Sequence, residues 1–189
     1  MNDAGPTISY RLREATLDDV ALIRDLISRS AHGLRGDDYT AVQIDAALKG
    51  AFGVDTSLIR DHTYYAVETG PGQIVACGGW SRRRTLFGSD SRAERDESFL
   101  DPATDAAKIR AFFVDPAHAR HGLGRMLLEH SEQAAMRAGF TAFEMMATLP
   151  GIRLYEKFGY TGTERIHYPL APGISIEFLP MRKVVGGAR

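Results

Sequence analysis

Ile8, Tyr10 and Leu12 alternate with Ser9, Arg11 and Arg13, the period of a strand with one buried face. Thr16-Leu17-Asp18-Asp19 then sets a hydroxyl cap before an acidic first turn, and Val20, Ile23, Leu26 and Ile27 recur at helical spacing. That pattern predicts a helix reaching about Ser30. Gly33 and Gly36 break it, so residues 31–39 read as a loop, and Thr40 with Gln43 opens a shorter helix that ends near Gly50. Residues 63–68 and 73–80 are rich in aromatic and β-branched side chains around Thr69-Gly70-Pro71-Gly72, which predicts a hairpin.

From Ser81 the pattern turns polar. Arg82-Arg83-Arg84 and Gly88-Ser89-Asp90-Ser91 lead into a mixed-charge stretch, so 81–106 reads as a long, partly mobile connection. Residues 108–114 form an apolar strand stopped by Asp115-Pro116. A helix from Gly122 to Ala138 carries Leu123, Leu127, Leu128, Ala134 and Ala135, with Gly139 at its end. A strand at 141–148, a short helix at 152–158 closed by Gly159, and strands at 161–168 and 174–184 complete the order β-α-α-β-β-β-α-β-α-β-β. The chain is read as α/β and as one domain, 1–189: an N-terminal strand, helices and hairpin (7–80), a polar insertion (81–106), a core (107–160) and C-terminal strands (161–189).

Composition narrows the partners. With 44% apolar and 25% charged residues the chain is neither disordered nor a membrane protein by composition, and 189 residues suffice for a single core. A net charge of −1 supplies no positive field for a nucleic-acid backbone. Neither nucleic acid nor membrane is expected as a partner; a homodimer is compatible with everything in the sequence. The lone Cys77 fits a reducing compartment, and the N-terminus lacks a basic stretch followed by an apolar one, so a cytoplasmic location is expected. The histidines are scattered without metal-ligand spacing, and no metal is expected.

The segment Val114-Asp115-Pro116-Ala117-His118-Ala119-Arg120-His121-Gly122-Leu123-Gly124-Arg125 lies between a predicted strand and a predicted helix. A helix start offers N–H groups without helical partners and the positive end of the dipole. Gly122 and Gly124 let an anion approach it closely, while Arg120 and Arg125 flank it with forked donors. The ligand so predicted is a pyrophosphate or similar anion. A Walker loop is absent, and a dinucleotide fingerprint would need glycine where Leu127 stands.

Phe112-Phe113-Val114-Asp115-Pro116 leading into Arg120-His121-Gly122-Leu123-Gly124-Arg125 resembles the coenzyme-A motif of the GNAT superfamily of N-acetyltransferases, Arg/Gln-x-x-Gly-x-Gly/Ala, with Ala119 at the Arg/Gln position. Leu154-Tyr155-Glu156-Lys157-Phe158-Gly159-Tyr160 resembles that family's second signature, with Thr148 and Gly151 standing where many members have Asn and Ala. The resemblance implies a mixed, twisted sheet in which strands four and five splay apart, with acetyl-CoA as cosubstrate. It also implies direct attack of an amine on the thioester, and a small-molecule amine is the expected acceptor. Phe112, Phe113 and Val114 would offer backbone N–H groups to the thioester and pantetheine, and residues 120–125, His121 and Leu123 included, would hold the pyrophosphate. Tyr155 would protonate the departing thiolate, a role open to a phenol protonated at pH 7.

The base is not identifiable. Glu144 and His167 are titratable residues on neighbouring predicted strands, and a water chain is the alternative. Cys77, within Ile74-Val75-Ala76-Cys77-Gly78-Gly79, reads as a buried strand residue and not as a nucleophile. Arg82 or Arg84 would border the acceptor side and favour an anionic amine; the opposing reading pairs them with Asp90, Glu94, Asp96 or Glu97. Two other classes stay open: an acyl-CoA-binding sensor without turnover, and a nucleotide-binding regulator.

Overall fold

The computed structural model describes residues 8–92 and 95–186. A seven-stranded sheet organises it, built from β1 (Arg11–Glu14), β2 (Tyr64–Glu68), β3 (Ile74–Ser81), β4 (Ala107–Val114), β5 (Ala142–Thr148), β6 (Ile166–Ala171) and β7 (Ile174–Val184) in the order β1-β2-β3-β4-β5-β7-β6. Every pairing is antiparallel except β4 with β5. Five helices flank it: α1 (Val20–Gly33), α2 (Ala41–Ala47), α3 (Thr56–Arg60), α4 (Leu123–Arg137) and α5 (Ile152–Lys157). No helix among the described residues is long and apolar enough to cross a membrane.

Two apolar clusters sandwich the sheet. One gathers Leu123, Leu127 and Leu128 of α4 with Ala107, Ile109, Phe143 and Met145. The other gathers Ile23, Leu26 and Ile27 of α1 with Ile44, Leu58, Tyr64 and Phe178. At roughly 25 cal/mol per Å² of apolar surface removed from water, these two layers are the main stabilising contribution to the fold.

The expected element order holds with three differences. α3 is an added short helix, begun by Asp55, whose carboxylate accepts from the Ser57 N–H at 3.0 Å; five residues are too few to show a helical period in sequence. α1 runs three residues past Ser30, since Gly33 remains helical where it packs against Pro116. β6 begins at Ile166 and not at 161, because Thr161 makes only an isolated bridge to Arg182.

The 81–106 connection is laced to the body. Arg84 N–H donates to Ser98 O, Thr85 N–H to Asp96 O and Leu100 N–H to Arg82 O, so its two halves run antiparallel. Arg95 reaches the buried Asp55 at 2.6 Å, and Arg110 of β4 meets the other oxygen of the same carboxylate at 2.7 Å. Arg110 also donates to Gly88 O at 2.6 Å. The expectation of partial mobility thus meets a segment held by ion pairs that alternating hydrophobicity cannot reveal.

Candidate active site

β4 carries the geometry that matters. On one edge it pairs with β3 from Ser81↔Lys108 to Ala76↔Val114. On the other edge it meets β5 only at Ala107↔Phe143 and Lys108↔Glu144, while β5 stays paired with β7 along its whole length. Beyond Lys108 the two parallel strands part, and a gap opens in the sheet, as the resemblance implied.

A bulge sits beside this gap. Cys77 faces Phe113 and Gly79 faces Arg110, so Ala111 and Phe112 together oppose Gly78 alone. Ala111 has φ +58°, a left-handed conformation that a non-glycine residue adopts at some cost. Its carbonyl accepts from the Tyr64 hydroxyl at 3.0 Å. The extra residue reverses the alternation of the strand. Ala107 and Ile109 face the α4 cluster before the bulge; Phe112 and Val114 face it afterwards, while Ala111 and Phe113 turn to the α1 side. Phe112 fills the space over Gly78, where a Cβ would lie 2.9 Å from its ring, and Phe113 meets Phe52 edge-on at 5.9 Å. Both side chains are therefore packing groups, and only their backbone remains for a ligand.

The backbone has one unexpected commitment. Val114 N–H donates to the Ser30 hydroxyl of α1 at 3.0 Å, so this expected ligand donor already has an acceptor. Asp115 N–H, one residue on, points to β3 and bonds Val75 O at 2.8 Å. Since successive N–H groups of a strand alternate in direction, Val114 N–H points away from β3, on the side of the gap, while the bulge interrupts that alternation at Ala111 and Phe112.

At the end of β4 the chain turns through Pro116–His118, Arg120 (φ +66°) and Gly122 (φ +81°) into α4. Gly122 caps the helix without a side chain, and the first helical bond runs from Met126 N–H to Gly122 O. The N–H groups of Leu123, Gly124 and Arg125 consequently have no helical acceptor and point out of the helix start, an anion cradle at the mouth of the gap. The side chains contribute less than their motif suggests. Leu123 is buried in the core, His121 donates through Nδ1 to Ala119 O at 2.9 Å, and Arg125 pairs with Glu129 one turn along the helix at 2.9 Å. Arg120 is exposed beside the turn.

Gly124 has a second reason to be glycine. A Cβ there would lie 3.0 Å from Leu154 Cδ2, so α4 and α5 touch at this point. Tyr155 follows Leu154 on α5, and its ring faces Tyr160 at 6.1 Å. The Tyr155 ring lies back over Gly151, where a Cβ would meet it at 2.9 Å, and this explains why glycine stands at that position. Tyr155 is 9% exposed, and burial pushes its phenol up to about 12. Its proton is therefore retained at every physiological pH.

The other titratable candidates fall elsewhere. Glu144 sits at the closed end of the gap, bonded to Lys108 at 2.6 Å and to Arg182. Burial would raise its carboxyl, but the two cations outweigh burial and hold it below its ordinary value, which suits an ion pair better than a base. His167 is on β6, two strands away from β5, facing Glu177 at 3.5 Å. Cys77 is fully buried and its thiol is pushed up to about 12 by burial, an inert strand residue as expected. The arginine run adjoins the closed end of the gap and is already engaged. Arg82 donates to Asp61 O at 3.4 Å, Arg83 forks onto Asp61 at 2.7 Å and approaches Glu97, and Arg84 pairs with Asp105 at 3.3 Å. Asp61 and Asp105 were not among the expected partners, and Glu94 lies outside the described residues. All three guanidiniums thus carry acidic or carbonyl partners, and Arg84 lines a pocket at the closed end of the gap with Lys108, Glu144 and Arg182.

Ser30, Ala111 and Asp55 were absent from the sequence-based list. Ser30 did leave a trace, as the one polar residue on the stripe of Ile23, Leu26, Ile27 and Ala31. The bulge left none.

A sheet split beside a backbone anion cradle defines an α/β transferase fold in which a long phosphate-bearing ligand can enter between two parallel strands. Residues 23–160 match the model of the acetyltransferase (GNAT) family, more than half of the chain, and the protein belongs to that family. Among solved structures it resembles a GCN5-related N-acetyltransferase from Rhodopseudomonas palustris (TM-score 0.67, 17% identity, covering 96% of this chain and 100% of that one). It also resembles yncA from Salmonella typhimurium, solved with its cofactor acetyl-CoA (0.62, 17%, 96% and 96%). A third is the paia N-acetyltransferase from Thermoplasma acidophilum in complex with coenzyme A (0.61, 10%, 93% and 99%). At these identities the likeness is one of fold. No curated protein matches the chain.

Proposed function

We propose that this protein transfers an acetyl group from acetyl-CoA to the amine of a small molecule. The observation that carries the reading is the gap beyond Lys108 opening beside three unpartnered N–H groups at Leu123, Gly124 and Arg125. The fit is chemical as well as spatial. A pyrophosphate needs several convergent donors and tolerates no side chain between, and Gly122 and Gly124 provide that opening. The pantetheine arm is a thin chain with amide groups, suited to a cleft whose walls are strand backbones.

Acetyl-CoA supplies the acyl group as a thioester, which the amine nitrogen attacks directly. Val114 N–H, on the gap side of β4, and Phe112 N–H would serve the carbonyl oxygens there, with Phe113 between them as a packing side chain. A donor aimed at developing negative charge on oxygen contributes on the order of 100-fold or more to acyl transfer. Tyr155 gives its proton to the sulfur as the carbon–sulfur bond breaks; burial makes the phenol a weaker acid but keeps it protonated across the working pH range. The proton lost by the amine leaves through water, since Glu144 is engaged by Lys108 and Arg182.

That same engagement favours a second reading, an acyl-CoA-binding sensor without turnover. Acetyl-CoA mixed with a broad panel of amines separates them, with released thiol and acetylated product followed together. Thiol release matched by acetyl-amine supports the transferase; tight coenzyme binding with neither product supports the sensor, and no coenzyme binding removes both.

A further inference from the structure

The end of α1 is docked onto the end of β4 and the turn that follows it by three contacts. Arg29 bonds Asp115 at 3.0 Å, the Ser30 hydroxyl accepts from Val114 N–H at 3.0 Å, and Gly33 lies so close to Pro116 that a Cβ would come within 2.3 Å of its ring. Ser30 is 5% exposed, on a helical stripe that is otherwise apolar. A buried serine at such a position needs a hydrogen-bond partner.

The splay supplies the reason for it. Where β5 departs, β4 is left with N–H groups that have no strand to bond, and an unpaired buried N–H is costly. Ser30 takes the place of the missing strand at Val114. A pantetheine arm lying in the gap presents amide carbonyls to this same N–H. One hydrogen makes one full-strength bond, so the serine oxygen and the ligand carbonyl compete for it. On the coenzyme reading given above, we propose that Ser30 is a positioning residue that holds the gap edge in order and sets coenzyme affinity by competing for Val114 N–H. The serine stabilises the free protein and in the same act weakens binding of the pantetheine arm.

The two consequences have opposite signs, which separates this role from ordinary core packing. Thermal unfolding of wild type and Ser30→Ala reads the first, and calorimetric titration of both with acetyl-CoA, and with adenosine 3′,5′-bisphosphate as a probe without pantetheine, reads the second. Ser30→Ala should unfold at a lower temperature yet bind acetyl-CoA roughly 2- to 10-fold more tightly, the range of one net hydrogen bond. Its affinity for the bisphosphate should match wild type. Ser30→Cys, similar in shape and a weaker acceptor, should move in the same direction by less, and it serves if the alanine variant does not fold. A folded variant with acetyl-CoA affinity unchanged or lowered overturns the competition. An equal gain for the bisphosphate overturns it too, because the effect would then lie at the cradle. Wild type that binds no acetyl-CoA would remove the coenzyme reading itself, and this inference with it.

Discussion

The two edges of β4 do different work with the same backbone. Toward β3 the strand is paired to its end, interrupted once by the bulge at Ala111, and it is clamped at Arg110 by the buried carboxylate of Asp55. Toward β5 it is paired at two positions and then opens, its Val114 N–H answered by a serine. The paired edge spends its hydrogen bonds on stability, and the open edge, on the function proposed above, keeps them for binding. Rigidity on the first is what allows the second to stay open, since a strand anchored on neither side would close the gap or fray.

The largest expected effect breaks the anchored edge. Asp55→Ala leaves Arg110 and Arg95 without their shared carboxylate, in a site where Asp55 is 0% and Arg110 4% exposed. Removing one member of such a buried ion pair costs about 3–5 kcal/mol, because the remaining charge is stranded. Chemical denaturation should show that loss; a loss under about 1 kcal/mol would mean that β4 is not anchored through Asp55.

On the open edge, Tyr155→Phe should lower turnover by at least about 100-fold and leave acetyl-CoA affinity within a factor of about two, since only the proton donor is removed. Steady-state kinetics beside a binding titration checks both. Turnover equal to wild type would assign thiolate protonation to water.

Gly124→Ala is a milder probe of the cradle. Its methyl would press on Leu154 Cδ2, the far end of a flexible side chain, and on the function proposed above it would crowd a pyrophosphate at the helix start. Acetyl-CoA affinity should fall about 10-fold with a change in unfolding midpoint of only a few degrees. A bulkier substitution would push α5 aside and blur the two effects. Comparable losses in binding and stability, even for alanine, would show that Gly124 serves helix packing alone.

The smallest effect is an absence. A general acid acts in its protonated form, and burial pushes the Tyr155 phenol up from its ordinary value to about 12. The protonated form therefore persists as pH rises through 10, and turnover should show no loss from this group until pH approaches 12. A basic limb near pH 10 that disappears in Tyr155→Phe would contradict the burial of this phenol.

Much of this was legible in the sequence, and the illegible part is of one kind. The hairpin at β2 and β3, the strand before Asp115-Pro116 and the glycine-bearing start of α4 all showed because their signals are local: alternation, turn residues, a cap. The free N–H groups at that start showed for the same reason, whereas the turn of Arg125 toward Glu129 did not. α3 was missed because a five-residue helix has no period. Pairing of the Arg82–Arg84 run with carboxylates was one of the two readings, and Arg83 does approach Glu97, but Asp61 and Asp105 were not foreseen because they meet the run only after folding.

The sequence by itself determined the elements, their order and the backbone anion site, since each depends on residues a few positions apart. Only the tertiary structure decided where β5 leaves β4, that Ala111 bulges and reverses the faces of the strand, and that Ser30 answers for Val114. Those features arise from pairings between segments far apart in the chain, and no window of sequence contains both halves of a hydrogen bond between Ser30 and Val114.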